Sequence, residues 1–189
     1  MLRKRRRNQA KIRSLEKNKE MFETAAPDPL SRLSSVALAK RDALRLLRFR
    51  PRSVKEISLR LKQKRHSDLV IAEIIEELKG KNFLNDDIFA KLWINERLSL
   101  KPSGRALLAQ ELRTKGIDDA VIEKAFSGLK GSFDESGIAV SLARKRMERF
   151  RNIDEQKAKK KLFDFLRRRG FSDEIVWKTL KDIYGVADA

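Results

Sequence analysis

Apolar residues recur through most of this chain at spacings of three and four, the period of a helix lying on a core. The stretch from Phe83 to Phe126 shows it best. Asn85 and Asp86 precede Ile88, Phe89, Leu92 and Trp93, the arrangement of a cap followed by an apolar face. Pro102, Ser103 and Gly104 break the chain, with Ser103 placed to cap a second helix that carries Leu107, Leu108 and Leu112. Gly116 is placed to close that helix in the left-handed conformation, with Ile117 folding back on the last turn. Asp118 or Asp119 opens a third helix whose apolar residues are Val121, Ile122, Ala125, Phe126 and Leu129.

The same unit recurs on both sides. Leu112 to Asp119 reads LRTKGIDD, Leu166 to Asp173 reads LRRRGFSD, and Leu61 to Asp68 reads LKQKRHSD. In each case a pair of apolar residues follows in register: Val121 and Ile122, Ile175 and Val176, Val70 and Ile71. Repeats of this length are the mark of a stacked helical array. Arg65 stands where the other copies have Gly116 and Gly170, so that helix end is expected to close differently or less tightly.

The rest of the chain fits this frame. A helix is expected from Ser31 to Arg48, with Leu33, Val36, Ala37, Leu44 and Leu47 on one side. Ser53 and Glu56 form a capping box ahead of Ile57 and Leu61; Ser67 caps a helix ending at Gly80. Gly128 and Gly131 mark the joint to the last unit. There Asp134, Asp154 and Ser172 cap three helices bearing Ile138, Leu142 and Met147, then Leu162, Phe163, Phe165 and Leu166, then Ile175, Val176, Thr179, Leu180 and Ile183. The expected fold is all-α: an elongated tandem array of three three-helix repeats at residues 30–84, 85–131 and 132–185. A basic, flexible N-terminal arm and linker occupies residues 1–29 and a frayed tail residues 186–189.

Composition adds charge to this picture. The 189 residues carry a formal charge of +18, and charged residues make up 38% of the chain. That excess points to a polyanionic partner. It is uneven: residues 40–84 carry thirteen basic and six acidic side chains, residues 85–130 eight and seven, residues 144–169 twelve and four. A neutral middle repeat therefore lies between basic flanks. Two groups of cations are candidate phosphate contacts: Arg48, Arg50 and Arg52 with Lys101 and Arg105, and Arg144, Lys145, Arg146, Arg149 and Arg151 with Lys159 to Lys161 and Arg167, Arg168 and Arg169. Residues 1–20, with nine basic and two acidic side chains, are a third candidate or a solubilising tail.

Catalytic chemistry has few parts to work with. Cysteine is absent and His66 is the sole histidine, a turn residue where the other repeats have Ile117 and Phe171. Asp86 and Asp87 are better explained as a helix start than as a metal pair. Trp93 and Trp177 fall on apolar faces, where core packing outweighs base stacking. No phosphate-cradling glycine loop, nucleophile elbow or zinc-binding helix motif occurs. The chain is therefore read as a binder, not an enzyme, with no cofactor. No apolar run approaches a membrane span or a signal-peptide core, so no membrane partner and a cytoplasmic location are expected.

The runs Leu84 to Arg97, Leu100 to Arg105 and Gln110 to Ile117 resemble the middle of the RecX family of recombination regulators. Leu166 to Gly170, followed by Phe171 and Ser172, resembles its third unit. The resemblance covers about residues 38–183 and is weakest in the first repeat, where Arg65 replaces glycine. It implies three tandem three-helix units that bind the RecA recombinase filament on single-stranded DNA and tune strand exchange, with no catalytic residues. A monomer is expected. The competing readings are a stand-alone helix-turn-helix nucleic-acid binder and a basic protein associated with ribosomal RNA. Small-angle scattering should show an elongated particle; a compact sphere would contradict the array.

Overall fold

The computed structural model describes residues 29–129 and 133–185. The expected basic arm, apart from Pro29, Gly131 and the C-terminal tail lie outside the described residues. Compactness divides the chain into Met1–Leu38 and Ala39–Ala189. Helix α1, Pro29–Phe49, crosses that division. In its first part Ser34 and Ser35 donate their hydroxyls to the Ser31 carbonyl, and Leu33, expected on the apolar side, is exposed.

From Ala39 onward the helices fall into three groups. The end of α1 joins α2 (Val54–Gln63) and α3 (Asp68–Gly80). The middle group is α4 (Asp86–Leu100), α5 (Arg105–Thr114) and α6 (Asp119–Ser127). The last is α7 (Glu135–Met147), a short 3-10 turn at Glu148–Phe150, α8 (Glu155–Arg168) and α9 (Asp173–Tyr184). No strand occurs among the described residues. Ser53, Ser67, Asn85, Asp134, Asp154 and Ser172 each accept a backbone N–H as caps.

Inside each group the third helix packs on its partners through the expected residues: Val70, Ile74 and Leu78; Ile122 and Phe126; Val176 and Leu180. The first helices differ from expectation. Their innermost residues are Ala39 and Ala43, Ala90 and Ile94, Ala139 and Ala143, all fully buried. Each group has an alanine at the same position, which lets the first helix approach closely. Ile88 and Leu92, expected inside, stand 51% and 46% exposed, because the buried face of α4 runs through Phe89, Ala90 and Ile94.

The helix ends bring one correction. Gly116 and Gly170 have φ of 81°, as expected, but Arg65 is also left-handed at 64°. The amide that follows bonds the same carbonyl in all three repeats: His66 to Leu61, Ile117 to Leu112, Phe171 to Leu166. The first repeat thus closes like the others, with strain in place of glycine. Helix α3 ends at Gly80, as expected, and its chain turns at Asn82, whose φ is 57°.

The repeats meet at two equivalent joints. At each, the N-terminus of one repeat's second helix abuts the closed C-terminus of the next repeat's second helix. Buried Ser53 donates its hydroxyl to the Lys115 carbonyl at 2.7 Å, and the Lys55 stem lies over Gly116. At the second joint Gly104, not Ser103, is the cap residue. Its amide donates to the Arg169 carbonyl at 2.8 Å, and Ala106 donates to Gly170 at 3.2 Å. Ser103 is buried and donates to Lys101. A Cβ on Gly104 would sit 2.3 Å from the Gly170 carbonyl oxygen, and one on Gly170 would sit 2.4 Å from Leu107.

Two equivalent acids complete the joints. The Val54 amide donates to Asp86 at 3.0 Å, and the Arg105 amide to Glu135 at 2.8 Å. Each acid is the first residue of the following repeat's first helix, so one repeat caps a helix of the repeat before it. Burial raises the pKa of both carboxyls; the amide bonds they accept only partly offset this.

Gly104→Ala is expected to destabilise the chain by about 1–3 kcal/mol through overpacking against backbone. Gly80→Ala meets nothing within 4 Å and should stabilise by about 0.5–1 kcal/mol. Arg65→Gly should be neutral or stabilising, whereas Gly116→Val should cost at least about 1 kcal/mol. Denaturant melts of the four variants check these values. Equal stability of Gly104→Ala and wild type would refute the close approach.

Candidate nucleic-acid interface

The helix ends carry most of the candidate cations, and the structure sorts these into engaged and available. Arg50 forms a two-pronged pair with Glu56, both bonds 3.1 Å. Arg52 is half-buried and donates to the Leu46 carbonyl; burial and its neighbour Arg50 lower its pKa. Arg105 pairs with Glu123 and lies over the Phe126 ring. Arg169 donates to the Pro102 carbonyl across the second joint and lies over Phe165. Arg146 lies between Phe150 and Phe165. Arg167 pairs with Asp173 and reaches the Phe163 ring.

Arg48, Lys101, Arg144, Arg149, Arg151 and Arg168 are exposed. Arg144 and Arg151 line an open cleft of about 410 Å³ with Met147, Glu148, Asp182 and Ile183. The candidate cations thus form no single patch. The available ones lie at the end of α1, at the break before α5, and around α7 and the end of α8.

The first joint is electrostatically complete. Glu56 accepts from Arg50 and from Lys115, the latter at 2.9 Å. Lys115 also lies over Trp93, 4.0 Å from the ring centre. Glu111 accepts from the Trp93 ring N–H and from Arg97. Trp93 is therefore half-buried and structural, as expected. Trp177 is not: it is 62% exposed and tilted against Phe163 at 5.0 Å. The buried face of α9 follows Val176, Thr179 and Leu180, leaving Trp177 on the rim.

His66 bonds Asp42 at 3.1 Å, and Lys64 holds the other oxygen of that carboxylate; together they keep the Asp42 pKa low. The expectation of a plain turn residue missed this polar contact to α1. Asp87 pairs with Lys124. No group of three potential metal ligands occurs among the described residues, and no helix there is long and apolar enough to cross a membrane.

Sequence reasoning did not single out Asp86, Glu111 or Glu135 for these roles, nor connect Glu56 to Lys115. A signal existed. Asn85 and Asp134 cap helices 49 residues apart, and the same offset carries Asp86 to Glu135 and Arg97 to Arg146.

Comparison with known proteins settles the family. Descriptions of the first, second and third three-helix domains of RecX match residues 39–78, 85–125 and 134–180. The chain belongs to the RecX family. The regulatory protein RecX of Amycolatopsis mediterranei is 32% identical over 144 residues, 76% of this chain and 82% of that protein. That of Bacillus licheniformis is 34% identical over 140 residues, 74% of this chain. The matched region spans about half the length of the Bacillus relatives, 53% of each. The crystal structure of RecX from Lactobacillus salivarius shares the fold, with a TM-score of 0.72 at 24% identity, covering 82% of this chain and 99% of that one. The family is one of regulatory proteins, not enzymes.

Glu56 gives the first joint a pH signature. Burial alone would raise its pKa; the bonds from Arg50 and Lys115 outweigh burial and hold it at about 2, against 4.5 for a free carboxyl. Its contribution is thus complete above the free value and is lost as pH falls towards 2. Asp86 and Glu135 have the opposite sign: burial raises their values, so proton uptake by these carboxyls as pH falls favours the fold. Glu56→Gln is expected to cost about 1.5–3 kcal/mol at pH 7, the range for hydrogen bonds to charged groups, and almost nothing near pH 2. Melts at both pH values check this; an equal cost at both would show that the pair contributes no charge-dependent stability.

Proposed function

We propose that this protein binds the filament of a RecA-type recombinase on single-stranded DNA and lowers its ATPase and strand-exchange activity. It would act in the cytoplasm as a monomer, within homologous recombination and DNA repair. The observation that carries the reading is family membership joined to the layout of charge. The middle repeat is nearly neutral and, apart from Lys101, the exposed, available candidate cations lie on the repeats that flank it. A filament groove offers both protein surface and phosphate, and a neutral centre with basic flanks suits both. The joints make the three repeats a series of units held in fixed register, as contact with several protomers of a polymer requires. No cofactor is needed, because the action is binding.

The test is recombinase ATPase and strand exchange with increasing amounts of purified protein. Wild type should slow both. A variant with Arg144, Arg149 and Arg151 all changed to Glu should need several-fold more protein for the same effect, because six units of charge are reversed where phosphate is expected. If the wild type leaves both activities unchanged and binds naked duplex tightly, the stand-alone helix-turn-helix reading takes its place.

A further inference from the structure

The two joints are built alike but charged differently. Chain offsets set Arg97 against Arg146, Lys115 against Arg169, and Glu111 against Phe165 in the second and third repeats. Glu56 of the first repeat matches Leu107 of the second. At the first joint both cations meet carboxylates: Arg97 pairs with Glu111 and Lys115 with Glu56. At the second joint the cations remain, and both matching acids are apolar. Arg146 and Arg169 instead lie against one ring, 5.0 and 5.3 Å from the centre of Phe165. Neither has a carboxylate partner among the described residues. The Arg146 Nε is buried and makes no hydrogen bond there, while Arg169 uses Nη1 on the Pro102 carbonyl.

A buried guanidinium N–H left without an acceptor is costly. The acceptor present at the first joint and absent at the second is a carboxylate, so the natural complement at the second is an oxyanion. We propose that the second joint is a seat for a nucleic-acid phosphodiester, received by Arg146 and Arg169. This deepens the proposed function and rests on its premise that nucleic acid is a partner. The guanidinium fork suits phosphate oxygens, and the Phe165 ring holds both forks without neutralising them. Exposed Arg144, Lys145 and Arg168 nearby in sequence extend the positive charge, which suits a polyanion with regularly spaced phosphates. The first joint, with its acids in place, has no such vacancy of charge.

The test uses the full chain and a fluorescein-labelled 20-nucleotide oligodeoxythymidylate, followed by anisotropy over a series of salt concentrations. Phe165→Glu restores the acid of the first joint; Arg146→Gln removes the unpartnered donor. Leu69→Glu makes the same charge change as Phe165→Glu on the first repeat, at a side chain that is 78% exposed. Phe165→Glu and Arg146→Gln should each weaken binding about fivefold or more and flatten the salt dependence by about 0.7 per lost contact. Leu69→Glu should stay within about twofold of wild type. Circular dichroism confirms folding, and if Phe165→Glu does not fold, Arg146→Gln decides. The proposal is overturned if wild type does not bind the oligonucleotide, if folded Arg146→Gln keeps wild-type affinity and slope, or if Leu69→Glu loses as much as Phe165→Glu. No recombinase is present, so failure here leaves the ATPase test of the regulator reading intact.

Discussion

A helix N-terminus exposes amides that no residue of its own helix can satisfy, and this chain buries two of them between repeats. That constraint organises the array. At both joints the first helical amide, Val54 or Arg105, is met by an acid at the start of the next repeat, Asp86 or Glu135. The carbonyls at the far end of the next repeat's second helix are met in turn, by the Ser53 hydroxyl or by the amides of Gly104 and Ala106. Positive helix ends therefore face negative ones, and α2, α5 and α8 are coupled end to end. The left-handed closure at Gly116 and Gly170 is also a contact surface. Each glycine leaves space that the neighbouring helix start fills with Lys55 or Leu107. Arg65 has the same backbone turn, but no described residue of an earlier repeat needs that space, and a long side chain is tolerated.

The two joints solve this problem with different chemistry. The first uses a serine hydroxyl as a spacer and adds a network of Arg50, Glu56, Lys115, Trp93, Glu111 and Arg97. The second brings backbone directly to backbone at Gly104 and places aromatic rings under its cations. Arg146 and Arg169 face the Phe165 ring and meet no carboxylate among the described residues. The same backbone geometry thus carries an ion-pair network in one place and cation–ring contacts in another.

Much of the fold was legible because local signals agree with the tertiary structure. Caps at Ser53, Ser67, Asn85, Asp134, Asp154 and Ser172, together with the glycine closures, located the helices within a residue or two. What was not legible depends on contacts between segments. Gly104 reads as a chain breaker, yet its value lies in how near Gly170 comes. Asp86 reads as part of its own helix start, yet it serves α2. The inner alanines Ala39, Ala90 and Ala139 carry too little hydrophobicity to stand out against leucines that prove to be on the rim. The basic residues were the least informative: composition shows that cations abound, but only the structure shows that Arg50, Arg52, Arg105, Arg167 and Arg169 already have work inside the chain.

The most direct test is amide hydrogen exchange at Val54, Gly104 and Arg105, followed by NMR. Amides in the first turn of an ordinary helix lack an intrahelical acceptor and exchange readily. The joints predict that all three are protected, that Asp86→Ala releases Val54 alone, and that Glu135→Ala releases Arg105 while Gly104 keeps its protection from the Arg169 carbonyl. Exchange of Val54 and Arg105 in the wild type at the rate of an unstructured chain would contradict the account at its centre.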